Sequence, residues 1–161
     1  MARLPIHFPT GDDETVGGRI YSVGYEGLTV ESLVERLVGA RVTVLIDVRL
    51  NPISRRPGFS RRVLAEALSR QGIKYVHEKE LGNPVENRLS FRTGDPSEGR
   101  ERMRAILSNG ASAALQRVVD RAAEDRIALL CVEREHSRCH RAVIAEMAVE
   151  RNPALDVLQV L

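Results

Sequence analysis

Tryptophan is missing from this chain, and tyrosine and phenylalanine number three each. The aromatic platforms on which single-strand nucleic-acid binders stack bases are therefore scarce. Two cysteines make no disulfide framework, and a chain of 161 residues can bury enough core to fold without one. No apolar run approaches the roughly 18 residues that span a bilayer, so no membrane partner is expected. Residues 1–18 carry Asp12, Asp13 and Glu14 and no apolar stretch, which is not the pattern of a signal peptide. A cytoplasmic location with reduced thiols is the expectation. Lysine is nearly absent too: apart from Lys74 and Lys79, the 24 cations are arginine. A formal net charge of +2 argues against a generalised polyelectrolyte surface, so the placement of the arginines matters more than their number.

What is present reads as one α/β domain over residues 19–161, preceded by a loose N-terminal arm over 1–18 that mixes Pro5, Pro9, Gly11, Gly17 and Gly18 with charge. Short apolar runs at 20–23, 42–46, 73–77, 127–132 and 155–160 predict five strands. Helical stripes alternate with them: Leu33, Val34, Leu37 and Val38 after a Thr29 cap, then Val63, Leu64, Ala67 and Leu68 after Ser60. Asp95, Pro96 and Glu98 give a strong helix start, and Asn109-Gly110 marks a break before a further helix. Residues 78–94 show no periodicity, and so long a loop in a compact domain is usually functional or mobile. Strand and helix in alternation mean a mainly parallel sheet covered on both faces. A strand order of 3-2-1-4-5 would open a crevice between the first and fourth strands, gathering Tyr25, Asp47, Arg49 and the Cys139 loop.

The chemistry concentrates where the 127–132 strand runs through a polar loop into a helix at Arg141. Cys139 lies near that helix start between Arg138 and Arg141, a setting that lowers a thiol pKa, with His140 as a neighbouring base. The plain reading, a small residue packed at a helix start, stands beside the nucleophilic one. Cys131, inside the apolar strand, reads as core, shielded where Cys139 would be reachable. Cys131, His136, Cys139 and His140 are close in sequence, and His77 could join them. Their spacing fits no standard zinc pattern, and neighbours on a helix point about 100° apart, so no metal or other cofactor is assigned. Asp47 is either a general base or the partner that orients Arg49, two residues along on the same side of a strand. Arg49, Arg55, Arg56, Arg61 and Arg62 follow one another with no acid between Asp47 and Glu66, which suits phosphate or a solvated basic loop.

Taken together, Ser22-Val-Gly24, Asp47-Val-Arg49 with Pro52 and Ser54, Gly72-Ile with Tyr75 and His77, Leu81-Gly82, Cys131 with Glu133, and Cys139-His140-Arg141 occur in one order. The set resembles the domain of unknown function 488 family. That resemblance implies a small α/β protein and carries over no catalytic assignment. Two readings of function stay open. One is an enzyme on a phosphorylated or nucleotide-like small molecule, with Cys139, His140 and Asp47 catalytic and Arg49, Arg141, Tyr25, Arg55 and His77 binding substrate. In that reading Arg49 and Arg141 clasp one anion and Tyr25 stacks on an aromatic moiety. The other is a nucleic-acid-binding module that uses the basic loop from Arg49 to Arg62.

Overall fold

The computed structural model describes residues 18–159. Of the arm expected over residues 1–18 only Gly18 lies among them. It is tied to the domain, its carbonyl accepting the Asp156 N–H at 2.8 Å. Among the described residues five strands pair in parallel throughout: β1 (Arg19–Gly24), β2 (Val44–Asp47), β3 (Lys74–His77), β4 (Arg126–Cys131) and β5 (Asp156–Gln159). Helices α1 (Val30–Gly39) and α2 (Arg61–Ser69) cover one face; α3 (Arg88–Arg92), α4 (Ser97–Ser108), α5 (Ser112–Glu124) and α6 (His140–Arg151) cover the other.

Strand alternation sorts the core into two layers. Ile127 and Leu129 of β4 point with Ile20, Val44 and Ile46 toward α4–α6, whereas Ala128 and Leu130 point with Val23 and Leu45 toward Leu33, Leu37, Leu64 and Leu68. Thr29 caps α1, its Oγ1 accepting the Ser32 N–H at 3.1 Å. Ser60 does not cap α2 by its side chain. Its Oγ instead donates to the Ser54 carbonyl and accepts the Ser54 N–H, closing the loop between β2 and α2. The helix expected after Asp95 begins at Ser97, with Asp95 Oδ1 taking the Ser97 N–H. The aperiodic stretch after β3 forms two short 3-10 turns and α3.

The strand order is β3-β2-β4-β1-β5, which corrects the expected order. The crossover from β1 to β2 skips one position, and β4 fills it. This is the central place in the sheet, and it goes to a six-residue strand buried at every position. Right-handed crossovers then send the leftward connections, α1 and α2, over one face and the rightward ones over the other. Consequently the segments that leave the neighbouring strands β2 and β4 depart toward opposite faces. The crevice at this switch opens between the ends of β2 and β4; the expected β1–β4 pairing is present, but Glu133 packs over Gly24 and closes that side.

Gly24 sets the spacing at that end of the sheet. A Cβ built on it would sit 1.8 Å from the Glu133 carbonyl oxygen, so the chain after β4 passes where any side chain would stand. Gly24→Ala should therefore destabilise the domain by about 2–3 kcal/mol in urea unfolding. Gly39→Ala, with open space around the added methyl, should be neutral or stabilising by at most about 1 kcal/mol. Equal effects of the two substitutions would contradict this.

Candidate functional site

The carboxyl end of β2 is built around a buried ion pair. Asp47 is fully buried, and Arg49 meets it with two parallel bonds, Nε to Oδ1 at 2.9 Å and Nη2 to Oδ2 at 2.7 Å. The Arg49 backbone N–H also donates to Oδ1, and the Tyr75 hydroxyl donates to Oδ2. Arg49 Nη1 donates to the Phe59 carbonyl at 2.7 Å and to the Tyr25 hydroxyl at 3.2 Å. Burial works against the guanidinium charge, but the bonds and attraction to Asp47 outweigh it, and the pKa of Arg49 rises. Burial and then the bond to Asp47 push the Tyr75 hydroxyl up as well. His77 Nε2 stands 2.8 Å from the Arg49 carbonyl, which can only accept, so that nitrogen carries the proton.

This arrangement revises several sequence expectations. Asp47 is enclosed by donors, which suits the partner role rather than a general base. Tyr25 is buried, its ring stacked on Phe59 at 4.3 Å, so the expected open stacking face is taken by the protein's own core. Arg49 turns toward the α1–α2 face with Tyr25 and Phe59, while Arg141 belongs to α6 on the opposite face. The two guanidinium groups are held by different protein acceptors, and the structure does not bring them together in the joint anion clasp that was expected. Arg55 is exposed in the loop before α2, away from the lining of the cleft described next.

A second cluster stands at the end of β4 and the start of α6. Cys139 is the residue before α6 and has extended backbone angles, φ −132° and ψ 148°. Its side chain therefore escapes the rotation that separates neighbours inside a helix, and its Sγ comes within 3.5 Å of His140 Nδ1. His140 Nε2 lies 2.9 Å from the Val48 carbonyl oxygen. Arg141, fully buried, donates from Nε to Cys139 Sγ at 3.3 Å and from Nη2 to the Glu133 carbonyl. Glu133 Oε2 is 3.2 Å from Cys131 Sγ and 3.5 Å from Cys139 Sγ. Burial alone would raise the Cys139 thiol, but the hydrogen bond from Cys131 and the charges of His140 and Arg141 prevail and hold it well below the ordinary cysteine value. The Cys131 thiol is raised, first by its bond to Cys139 and then by burial. Burial would lower His140, yet the charge of Cys139 raises it.

Both thiols are buried: the shielding expected of Cys131 is present, and the open access expected of Cys139 is not. Cys131, with 6 % of its surface exposed, lines a cleft of about 250 Å³, together with Arg49, Arg88, Arg92, Glu133 and His140. Cys139, 1 % exposed, sits behind them, because as the residue before α6 it folds its side chain under Arg141. Arg88 and Arg92 lie on α3, and the exposed apolar Ile53, Val85 and Val132 also contribute to the cleft wall. Sequence reasoning missed Arg88 and Arg92, and noted Glu133 only as part of the family pattern with Cys131. The four-residue spacing of the two arginines was the available signal, hidden in a stretch with no periodicity.

Compared with known families, residues 29–148 match the family described as Domain of unknown function DUF488. The match covers well over half of the chain, and the chain belongs to that family. No curated protein and no solved structure matches it. Among the described residues no helix is long and apolar enough to cross a membrane.

Two measurements check the electrostatics of the site. Asp47→Ala leaves a buried arginine without its counter-charge and should cost about 3–5 kcal/mol of unfolding free energy. Tyr75→Phe keeps the ion pair and should cost about 1 kcal/mol. Similar losses from both would contradict the ion pair's primacy. The second concerns His136, whose Nδ1 is 2.6 Å from Ser22 Oγ. Burial, then the charge of Arg141, lowers its pKa from 6.5 to about 4. The unfolded chain therefore takes up this proton first as pH falls. Stability linked to His136 is full above pH 6.5 and declines between 6.5 and about 4, by at most about 1.4 kcal/mol per pH unit. His136→Asn should remove that part of the slope; an unchanged slope would contradict the assignment.

Proposed function

We propose that this protein is an enzyme acting on a small anionic substrate, phosphorylated or nucleotide-like, bound in the cleft between the ends of β2 and β4. The observation that carries this reading is the composition of one cleft. Three arginines, Arg49, Arg88 and Arg92, stand on its wall, Cys131, Glu133 and His140 lie within it, and Cys139 backs them. Arg92 is exposed and Arg88 half-buried, so both have donors to offer an incoming anion. Arg49 contributes mainly by shaping the wall. Ile53, Val85 and Val132 supply apolar contact of the kind a nucleobase or similar flat group would use. Cys139, His140 and Glu133 are the residues on which chemistry would run, with Arg141 facing the sulfur as a fixed positive charge. In this reading Asp47 is a positioning residue, acting through Arg49.

The alternative, a nucleic-acid module, draws on the exposure of Arg55, Arg56, Arg61 and Arg62. It has less behind it, since of these four only Arg56 lines a cleft, and that cleft has no cysteine or histidine in its wall.

Thermal unfolding with added AMP and with pyrophosphate tests the substrate reading. A saturable rise in Tm is expected, larger at low salt. The Arg88→Ala, Arg92→Ala double variant should abolish it while leaving the ligand-free Tm nearly unchanged. The same rise in that variant, or none in the wild type, would contradict the proposal. A quadruple alanine variant of Arg55, Arg56, Arg61 and Arg62 should leave the AMP response intact. If that variant instead loses a steeply salt-dependent affinity for duplex DNA, the nucleic-acid reading is favoured.

A further inference from the structure

The donor atoms of Cys131, Cys139 and His140 all lie within 4.8 Å of one another, at the meeting of β4 and α6. Two thiols and an imidazole form the borderline-soft donor set that zinc takes. Bond lengths offer a first test. Zinc–sulfur of about 2.3 Å and zinc–nitrogen of about 2.0–2.1 Å, set at a tetrahedral angle, separate sulfur from nitrogen by about 3.6 Å. The Cys139 Sγ to His140 Nδ1 distance is 3.5 Å.

Independent support comes from the outer contacts of these groups. The Val48 carbonyl oxygen 2.9 Å from His140 Nε2 can only accept a hydrogen bond, so Nε2 carries a proton. In the neutral ring that leaves the Nδ1 lone pair facing the sulfurs. Metal-binding histidines are held in this way, with the far ring N–H given to a carbonyl or carboxylate. Arg141 supplies the comparable contact on the sulfur side, donating to Cys139 Sγ and holding the Glu133 carbonyl. Charge also balances locally. A divalent cation with two thiolates is neutral, and Arg141 and Glu133 offset one another. Adjacent residues inside a helix point too far apart to share an ion, but Cys139 is extended and lies before the helix.

We propose that Cys131, Cys139 and His140 together bind one zinc ion, with its fourth position opening into the cleft beside Glu133. The direction of that opening follows from the lining of the cleft, to which Cys131, Glu133 and His140 contribute and Cys139 does not. Three protein ligands with one open position is the pattern of catalytic rather than structural zinc. An ion there is a Lewis acid for an oxygen of the bound substrate. That use of the ion rests on the substrate reading above; the metal site itself does not.

The experiment uses the full chain, kept reduced and stripped with a chelator, and titrated with zinc against a chromophoric competitor and with cobalt(II) by absorption. One ion per chain is expected. Cobalt should give thiolate-to-metal charge transfer and the strong visible bands of a tetrahedral site. Cys131→Ser and Cys139→Ser should each weaken zinc binding at least tenfold and diminish the charge-transfer band. Circular dichroism and urea unfolding of the metal-free variants establish that each remains folded, and Cys131→Ser, at the cleft wall, serves if Cys139→Ser does not fold. Glu133→Gln should keep the stoichiometry of one. Absence of stoichiometric binding, a cobalt spectrum without sulfur charge transfer, or folded serine variants that bind zinc as tightly as the wild type would overturn the site. The AMP titration is repeated on metal-free protein, so failure of the anion site and failure of the metal site show up in separate measurements.

Discussion

A guanidinium removed from water must find an acceptor, and this fold buries two of them beside one cleft, Arg49 at the end of β2 and Arg141 at the start of α6. Each is answered in a different way. Arg49 receives a carboxylate, Asp47, in a paired geometry that fixes the loop after β2 and holds Tyr25 and the Phe59 carbonyl in place. Arg141 receives a sulfur and a backbone carbonyl. The cost of leaving either charge unmatched, about 3–5 kcal/mol, is a large share of a domain's net stability. Both arrangements are thereby rigid, and they fix the two walls between which the cleft opens.

The sheet order supplies the other half of the geometry. Because β4 lies between β2 and β1, the loop leaving it runs beside Gly24 on one side and faces the Asp47–Arg49 pair on the other. Gly24 has no side chain where Glu133 passes, and Gly82 has none where Leu50 passes, with an added Cβ falling 2.6 Å from the Leu50 Cα. These two close approaches bring the segments after β1, β2, β3 and β4 together at one end of the molecule. The Cys131–Cys139–His140 cluster is then drawn from the strand's last residue, the extended residue before α6 and the first residue of that helix.

Much of this was legible in the sequence. Strands and helices announced themselves through apolar runs and stripes, and the Thr29 cap through its residue type. Strand order did not, because a two-residue period reveals which face a residue occupies and says nothing about which strand lies alongside. The position of Cys139 at a helix start was also readable. Its extended backbone was not, and that single conformational fact decides whether it can share an ion with His140. The arginines were misjudged for a related reason: sequence gives the charge of Arg49 and Arg141 but not the acceptors that consume it. Arg88 and Arg92 escaped notice because α3 is ordered by distant bonds, such as Asn87 Nδ2 to the Gly99 carbonyl at 3.0 Å, rather than by an apolar stripe of its own.

X-ray absorption at the zinc edge of the reconstituted full chain examines the centre of this account most directly. The arrangement of Cys131, Cys139 and His140 predicts two sulfur scatterers at about 2.3 Å, one imidazole nitrogen at about 2.0–2.1 Å and one further light atom. A first shell made only of nitrogen and oxygen would contradict it.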